Sequence, residues 1–350
     1  MRIAQVAPLI ESVPPKYYGG TERVVSYLTE ELVKQGHDVT LFASGDSITN
    51  ARLEAITDEA LRLKTGNTEP MAQHFIMLNR INKMAHMFDI IHFHIDMLHF
   101  AQHQYMLTPS VTTMHGRLDL QHLPVVFDEF SEVPVISISN SQRIPIPKAN
   151  WQATVYNGVP MENYTFNSQP GDYLAFVGRI SPEKGVERAI HIAMNVGMKL
   201  YIAAKIDKVD QEYYQNKIKP MLDHPLVEYI GEIDEREKNT FLGGAYATLF
   251  PIDWPEPFGL VMIESMACGT PVIAFNRGSV AEVMLHGETG FIVNSLDEAI
   301  DAVEKVETIS RQCCRYIFEK RFSSKQMAVN YLQSYKSMIS ENEYQQPIAI

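Results

Sequence analysis

The chain has 350 residues, 45% of them hydrophobic and 21% charged, which gives length for two domains and the composition of a soluble globular protein. Its net charge of −12 disfavours a general nucleic-acid-binding protein, whereas a local basic patch for peripheral contact with anionic lipid stays open. The three cysteines, Cys268, Cys313 and Cys314, form neither a disulfide framework nor a zinc-binding spacing. Reduced thiols, with no signal-peptide pattern and no apolar run of about 18 residues, predict a cytoplasmic location.

The first half of the chain alternates predicted strands and helices. A buried strand at residues 2–7 precedes a loop rich in Pro and Gly and a helix at residues 21–35. Further strands are predicted at 39–43, 90–93, 111–114, 135–138 and 154–156, and a helix at 69–86, whereas 44–67 is expected to be irregular or only partly helical. This alternation predicts a parallel α/β architecture.

A polar, turn-rich stretch at residues 158–171 predicts a domain boundary. After it the alternation starts again, with a strand at 173–177, a helix at 185–196 and a strand at 200–204. A helical pattern at 296–340 closes the chain. The second half therefore reads as another α/β domain.

Residues 253–293 carry the strongest functional signal. Glu256 and Glu264 flank a turn that runs into a predicted helix at Gly259 and Leu260. The first turn of a helix leaves backbone N–H groups unpaired, which suits an anion such as a phosphate. Ionised carboxylates only accept hydrogen bonds, so the two glutamates suit the hydroxyl groups of a sugar and of a ribose. An ordinary amphipathic helix with acidic residues at its start is the alternative interpretation.

Two cations flank the turn after the first strand of the second half. Gly178 and Arg179 follow that strand, and Lys184 stands just before the next helix. Ligands of open α/β sheets bind beyond the carboxyl ends of strands, and a diphosphate needs cationic partners. A solvated Arg and Lys on a surface turn is the alternative.

The loop after the first strand contains Tyr18, Gly19 and Gly20, followed by Thr21 at a predicted helix start. Paired glycines allow close approach of the backbone to a ligand, although they also serve loops that only need positive φ. The chain has no G-x-G-x-x-G motif here, which argues against a dinucleotide-dependent oxidoreductase.

Histidines concentrate near two predicted strand ends. His115 ends the strand at 111–114, where sites form in parallel sheets, although a buried, hydrogen-bonded histidine is the alternative. The rival histidines are His92, His94, His99 and His103. The alternation of His92 and His94 along a strand favours packing over metal ligation, and no metal site is predicted.

These motifs resemble the donor-site signature of retaining family 4 glycosyltransferases of the GT-B fold, from residue 1 to about 340. The segment around Gly178 matches the family's G-R-x-x-x-x-K-G pattern, and Glu256 with Glu264 matches its E-x7-E pattern. The resemblance implies two Rossmann-like doubly wound domains facing each other across a cleft. Residues 1–160 would form the acceptor domain, 161–324 the nucleotide-sugar domain, and a helix at about 325–340 would cross back onto the first.

The resemblance also implies residue roles. Glu256 and His115 would contact the donor sugar, Glu264 would hold the ribose, and Arg179 and Lys184 would stabilise the leaving diphosphate. The implied catalytic residues are His115, Glu256, Arg179 and Lys184. The implied donor-binding residues are Gly19, Gly20, Gly178, Arg179, Lys184, Glu256, Phe258, Gly259, Leu260 and Glu264. No metal and no cofactor is expected, with the nucleotide sugar as co-substrate.

The opening 47 residues and the stretch at 253–264 look like a bacterial subgroup that includes UDP-glucose:tetrahydrobiopterin glucosyltransferases. This favours a UDP-sugar, with a small molecule, a glycan or a lipid-linked compound as acceptor. A pterin is one candidate acceptor. The nucleotide base, the sugar, the acceptor and the oligomeric state stay open. A nucleotide-sugar 2-epimerase and a non-catalytic nucleotide-sugar-binding protein are the alternative functions.

Overall fold

The computed structural model describes residues 1–16, 19–64 and 69–345, with side chains as far as residue 341. Tyr18 lies outside these residues. The chain divides into two compact units. Unit 1 comprises Met1–Gly158 together with Ser324 onwards, and unit 2 comprises Val159–Ser323.

Unit 1 is built on a seven-stranded parallel sheet with the order β3-β2-β1-β4-β5-β6-β7. Its strands are β1 (Arg2–Val6), β2 (Asp38–Ser44), β3 (Arg52–Thr57), β4 (Ile90–Phe93), β5 (Ser110–Met114), β6 (Val135–Ser137) and β7 (Trp151–Thr154). The helices along this stretch are α1 (Gly20–Lys34), α2 (Pro70–Met84), α3 (Phe100–His103) and α4 (Leu123–Glu129). The strand order reverses between β1 and β4, and the crevice at such a switch point is where open α/β sheets bind ligands.

Unit 2 repeats this architecture with a six-stranded parallel sheet in the order β10-β9-β8-β11-β12-β13. Its strands are β8 (Tyr173–Arg179), β9 (Lys199–Lys205), β10 (Val227–Gly231), β11 (Ala247–Phe250), β12 (Val272–Phe275) and β13 (Gly290–Val293). Its helices are α5 (Val186–Val196), α6 (Gln211–Tyr213), α7 (Glu235–Gly243), α8 (Leu260–Ala267), α9 (Val280–Val283), α10 (Leu296–Lys305) and α11 (Arg311–Arg321). Central strands β11 and β12 are buried along their whole length, as expected for a parallel sheet covered on both faces.

The last helix, α12 (Ser324–Gln345), belongs to unit 1 and packs against α1. Tyr331 and Tyr335 on this helix are fully buried, and their hydroxyl groups bond to side chains of the sheet. These buried hydrogen bonds satisfy phenol groups that would otherwise be costly to bury.

Three predictions of secondary structure were wrong in detail. The stretch 44–67 contains strand β3, a half-exposed edge strand whose Arg52 and Glu54 hide the apolar pattern of a buried strand. The strand predicted at 154–156 lies earlier, at β7. The helical pattern at 296–340 is broken into α10, α11 and α12, because the chain turns between Val306 and Ser310 and again at Phe322. Within the described part of the chain, no helix has the length and hydrophobicity needed to cross a membrane.

Candidate functional site

The site begins at the carboxyl end of β11, where the chain turns into α8. Gly259 stands before α8 with φ +82, and a Cβ there would come within 2.8 Å of the Met262 side chain. Only glycine takes this left-handed conformation without strain. No side chain caps the start of α8, so the N–H groups near Leu260 are available to an anion.

Glu256 and Lys184 form an ion pair across this turn. Lys184 Nζ donates to Glu256 Oε2, and Trp254 Nε1 donates to the same oxygen at 3.0 Å. The ammonium also lies 5.1 Å from the centroid of the Trp254 ring. The two side chains are only 14% and 11% exposed, so the pair is weakly screened by water. A lysine has three donors, so Lys184 can hold Glu256 and still reach an anionic ligand.

The backbone of Glu256 is held by the turn before α9. Ser279 N donates to Glu256 O at 3.0 Å, and Ser279 Oγ donates to Phe258 O at 2.8 Å. Gly278 has φ +58, and a Cβ there would come within 2.3 Å of Glu256 O. This close approach fixes the position from which the Glu256 carboxylate extends.

Glu264 lies one turn inside α8 and is 3% exposed. Its Oε1 accepts from Lys238 Nζ at 2.6 Å and from Tyr164 OH at 3.2 Å. Lys238 also pairs with Glu235 at 2.7 Å. Burial lowers the pKa of Lys238, but the attraction of Glu264 and Glu235 outweighs it, and the pKa lies above its usual value. The cation and the phenol both bond to Oε1 of Glu264.

Lys238 and Tyr164 were missed by the sequence analysis. Lys238 lies in α7, 26 residues before Glu264, and Tyr164 lies 100 residues before it. The only local signal was the spacing of Glu235 and Lys238 on one helix, which is common on solvated surfaces.

Arg179, at the end of β8, is surrounded by three carboxylates. Its guanidinium lies 2.6 Å from Glu183, 3.3 Å from Asp207 and 3.8 Å from Asp210. Burial raises the pKa of Asp207, yet its bonds to Lys205 and Arg179 outweigh burial and lower the pKa. The sequence predicted Arg179 as a diphosphate ligand. In the structure a diphosphate would have to share this guanidinium with carboxylates or replace them.

The glycine loop of unit 1 leads directly into α1. Gly19 precedes the helix and a Cβ there would come within 2.8 Å of Pro15, whereas a Cβ at Gly20 would meet nothing within 4 Å. In the first turn of α1, Glu22 is 6% exposed, and burial raises the pKa of its carboxyl group.

His115 lies at the carboxyl end of β5, half-buried, with its Nε2 2.8 Å from Nδ1 of His94. Burial lowers the pKa of His115 to about 4, so it is neutral at neutral pH. The rival histidines of unit 1 are bonded to polar side chains: His92 to Tyr335 and Thr113, His94 to Gln5, His99 to Thr112, and His103 to Ser110. No group of three or more metal-ligating side chains is found among the residues that the structure describes.

The structure thus brings Lys184 into contact with Glu256, and it joins Glu264 to two partners that the sequence analysis did not name. Arg179 and Gly178 end β8, with Arg179 in its own carboxylate cluster. A backbone hydrogen bond links the segment of Arg179 and Glu183 to the segment before Glu256, because Asp253 N donates to Glu183 O at 2.9 Å. Gly178, Arg179 and Lys184 lie at or just after the carboxyl end of β8, and Glu256 and Glu264 follow that of β11.

Known proteins resemble both units. Residues 18–143 match the family Glycosyltransferase Family 4, and residues 165–322 match the family Glycosyl transferases group 1. An uncharacterized 41.2 kDa protein in the cps region of Klebsiella pneumoniae is 28% identical over 47% of this chain and 46% of its own length. The glycogen synthase of Mycobacterium tuberculosis is 25% identical over 79% of each chain.

The same fold occurs in solved structures, among them AviGT4, a glycosyltransferase involved in avilamycin A biosynthesis, with a TM-score of 0.71 at 21% identity over 97% of this chain and 98% of that one. The structure of Anabaena HepE in complex with UDP and glucose has a TM-score of 0.74 at 18% identity, over 96% of this chain and 100% of that one. The two parallel-sheet, Rossmann-like units are those of the GT-B fold. The chain is therefore a glycosyltransferase, with a family 4 domain followed by a glycosyl transferases group 1 domain.

Proposed function

We propose that this enzyme transfers a hexose, with retention of anomeric configuration, from a nucleotide-diphosphate sugar to an acceptor hydroxyl or amine. The observation that carries the proposal is a pair of carboxylates in unit 2, each held by a lysine: Glu256 by Lys184 and Glu264 by Lys238. They lie on either side of a helix start that no side chain caps. UDP-glucose or a related UDP-sugar is the proposed donor, supported by the subgroup resemblance and by the UDP and glucose bound to HepE.

Each part of the donor has a chemically matched group. The diphosphate would lie against the N–H groups at Gly259 and Leu260 and the ammonium of Lys184. The free oxygen of Glu256 would accept from a hydroxyl of the sugar. Oε2 of Glu264 would accept from the ribose. From unit 1, the family resemblance supports a contact of His115 with the transferred sugar and of Gly19 and Gly20 with the diphosphate.

Bond breaking at the anomeric carbon adds one full negative charge to the diphosphate, which is already anionic. Lys184 and the helix start are fixed before the reaction, and such preorganised charge stabilises a leaving anion without a reorganisation cost. Arg179 would add to this when the diphosphate displaces Asp207 or Asp210 from its guanidinium. We propose that these charges carry the reaction without a metal ion, and that the departing diphosphate itself takes the proton of the acceptor.

A thermal-shift panel of UDP-, GDP- and ADP-sugars in metal-free buffer tests the donor site. A ligand that binds only the folded protein raises its apparent stability by mass action. We expect one nucleotide series to raise the melting temperature of the wild type and to lose this effect in Glu264→Ala. A panel with no shift would favour a non-catalytic protein. The binding nucleotide sugar then serves in a screen of acceptors, with a pterin included.

A further inference from the structure

An unbroken chain of hydrogen bonds runs through unit 1 from α12 to His115, and all of it is buried except the bond to the half-buried His115. Seven side chains take part. Gln5 lies in β1, His92 in β4 and Thr113 in β5, while His94 and His115 directly follow β4 and β5, and Tyr331 and Tyr335 lie in α12. The donor–acceptor distances along it are 2.8 Å (His115–His94), 2.8 Å (His94–Gln5), 3.1 Å (Gln5–Tyr335), 2.6 Å (Tyr335–His92), 2.7 Å (His92–Thr113) and 3.0 Å (Thr113–Tyr331).

The three histidines of this hydrogen-bond chain, His92, His94 and His115, are neutral. Burial lowers the pKa of His92 and His94 far below the ordinary range and that of His115 to about 4. A neutral imidazole has one N–H donor and one acceptor nitrogen, so each ring can pass a hydrogen bond in one direction only.

The amide of Gln5 sets that direction. Its nitrogen donates to Tyr335 OH and its oxygen lies against Nε2 of His94. Since an amide oxygen only accepts, His94 must carry its proton on Nε2 and accept at Nδ1. His115, which faces that Nδ1, must then donate from its own Nε2.

The other side of the chain has the same polarity. Tyr335 OH accepts from Gln5, so its proton goes to Nδ1 of His92. His92 therefore carries its proton on Nε2 and donates to Thr113, whose hydroxyl can donate to Tyr331. In this arrangement every hydrogen bond of the network has one donor and one acceptor, as buried polar networks require.

We propose that α12, through Tyr335 and Gln5, fixes the tautomer of His115, so that Nδ1 presents a lone pair and accepts a hydrogen bond from a substrate hydroxyl. Tyr335, Gln5 and His94 are then positioning residues, because they act on the ligand only through His115. The substrate hydroxyl in this statement rests on the proposed function, whereas the tautomer is a property of the protein alone.

The opposite polarity is equally complete and gives the opposite chemistry. A Gln5 amide turned by 180° would place the proton of each histidine on Nδ1, and His115 would donate to its ligand. The identity of one amide atom thus decides whether His115 accepts or donates.

Nitrogen-15 NMR of histidine-labelled protein without ligand, at pH 7.5, reads the tautomers directly. We expect His92, His94 and His115 each to show a protonated Nε2 and an unprotonated Nδ1. Protonated Nδ1 on His94 and His115 would overturn the proposal. Because no substrate is present, this result does not depend on whether glycosyl transfer is the reaction.

Two buried tyrosines one helical turn apart give matched variants. Tyr335→Phe removes the acceptor of the Gln5 amide, so we expect His115 to become a mixture of tautomers. Tyr331→Phe removes only the end of the chain, and His115 should keep the wild-type tautomer. A single, unchanged His115 tautomer in Tyr335→Phe would refute control by α12.

Gln5→Glu supplies a second test if Tyr335→Phe fails to fold. A carboxylate still accepts from His94, so His115 should not change, whereas Tyr335 would now donate to Glu and leave His92 to donate from Nδ1. A flip of His92 without a flip of His115 is the expected signature. A flip of both rings, or of neither, contradicts the deduced direction.

The ligand half of the proposal is tested with donor analogues in which one sugar hydroxyl is replaced by hydrogen or by fluorine. Fluorine cannot donate a hydrogen bond. The hydroxyl that contacts His115 is the one whose removal weakens binding to the wild type but not to His115→Ala. At this hydroxyl we expect replacement by hydrogen and by fluorine to weaken binding equally, by about tenfold. Binding retained by the fluoro analogue, or no hydroxyl that depends on His115, would overturn this half and leave the NMR result intact.

Discussion

Replacing Glu264 by glutamine separates the charge of this side chain from its shape. The amide oxygen can keep the contacts with Lys238 and Tyr164, which puts the amide nitrogen where Oε2 stood. That nitrogen donates and cannot accept from a ribose hydroxyl. The lost charge-assisted hydrogen bond amounts to about 1.5–3 kcal/mol, or roughly a 10- to 150-fold weaker affinity for the nucleotide.

The same change weakens the ion pair with Lys238, which is 9% exposed and keeps Glu235 at 2.7 Å. Removing one partner of a fully buried pair costs about 3–5 kcal/mol, and the remaining carboxylate reduces this to about 1–2 kcal/mol. A domain of this size should then melt about 2–8 °C lower. Calorimetric titration with UDP and thermal unfolding measure the two effects separately.

Glu235→Gln is the matched control, because Glu235 contacts the same lysine and the same tyrosine hydroxyl, at 2.7 Å and 3.2 Å. It should lower the melting temperature by a similar amount and leave the affinity for UDP within about threefold of wild type. Equal affinity of wild type and Glu264→Gln would refute the ribose role. Equal loss of affinity in both variants would show that the effect is only structural.

Three further predictions concern the remaining parts of the site. Glu256→Ala should lower turnover by about 10² or more, whereas Glu304→Ala, on the exposed face of α10, should not; wild-type turnover in the first variant removes Glu256 from the site. Gly278→Ala should reduce both stability and turnover, because its Cβ meets the Glu256 backbone, while Gly287→Ala, at φ +80 with open space around it, should cost only about 1 kcal/mol of strain and no activity. Burial lowers the pKa of His115 to about 4 and of His99 to about 3, whereas both have a pKa near 6.5 in the unfolded chain. Below about pH 6.5 the unfolded chain therefore binds more protons than the folded protein does. The free energy of unfolding should therefore fall as the pH drops below about 6.5, by up to about 1.4 kcal/mol per pH unit for each histidine, and urea unfolding curves that coincide at pH 7.5 and 5.5 would contradict this.

Much of the architecture could be predicted from local sequence. Strand β4 was predicted at its observed bounds, and α1 and α5 to within one residue, because a buried strand shows as a short, mostly apolar run and an amphipathic helix shows a 3.6-residue hydrophobic period. The edge strand β3 was missed because only one of its residues is buried and its apolar residues form no continuous run. The breaks between α10, α11 and α12 depend on packing of distant segments, which no local pattern records.

For the candidate site, the sequence predicted individual residues but not the contacts between them. The motifs drew attention to Glu256, Glu264, Arg179 and Lys184, but a motif gives no distances. Contact of Lys184 with Glu256 spans 72 residues and contact of Lys238 with Glu264 spans 26, and both arise from the order of strands in the sheet. His92 and His94 were interpreted as packing residues because they alternate along the predicted strand. Local sequence could not predict that the distant phenol groups of α12 would join them in one hydrogen-bond network.

The place of α12 in unit 1 has a consequence for protein synthesis. Thr113 and Tyr331, which share a buried hydrogen bond, are 218 residues apart, and all of unit 2 is made between them. At about 5–20 residues per second, a ribosome needs roughly 10–40 s to make that stretch. Unit 2 is continuous in sequence and can complete its own core during this time. The N-terminal segment of unit 1 must wait for α12, because Gln5 and His92 lack their partner Tyr335 until then, and unit 1 is the last to be completed.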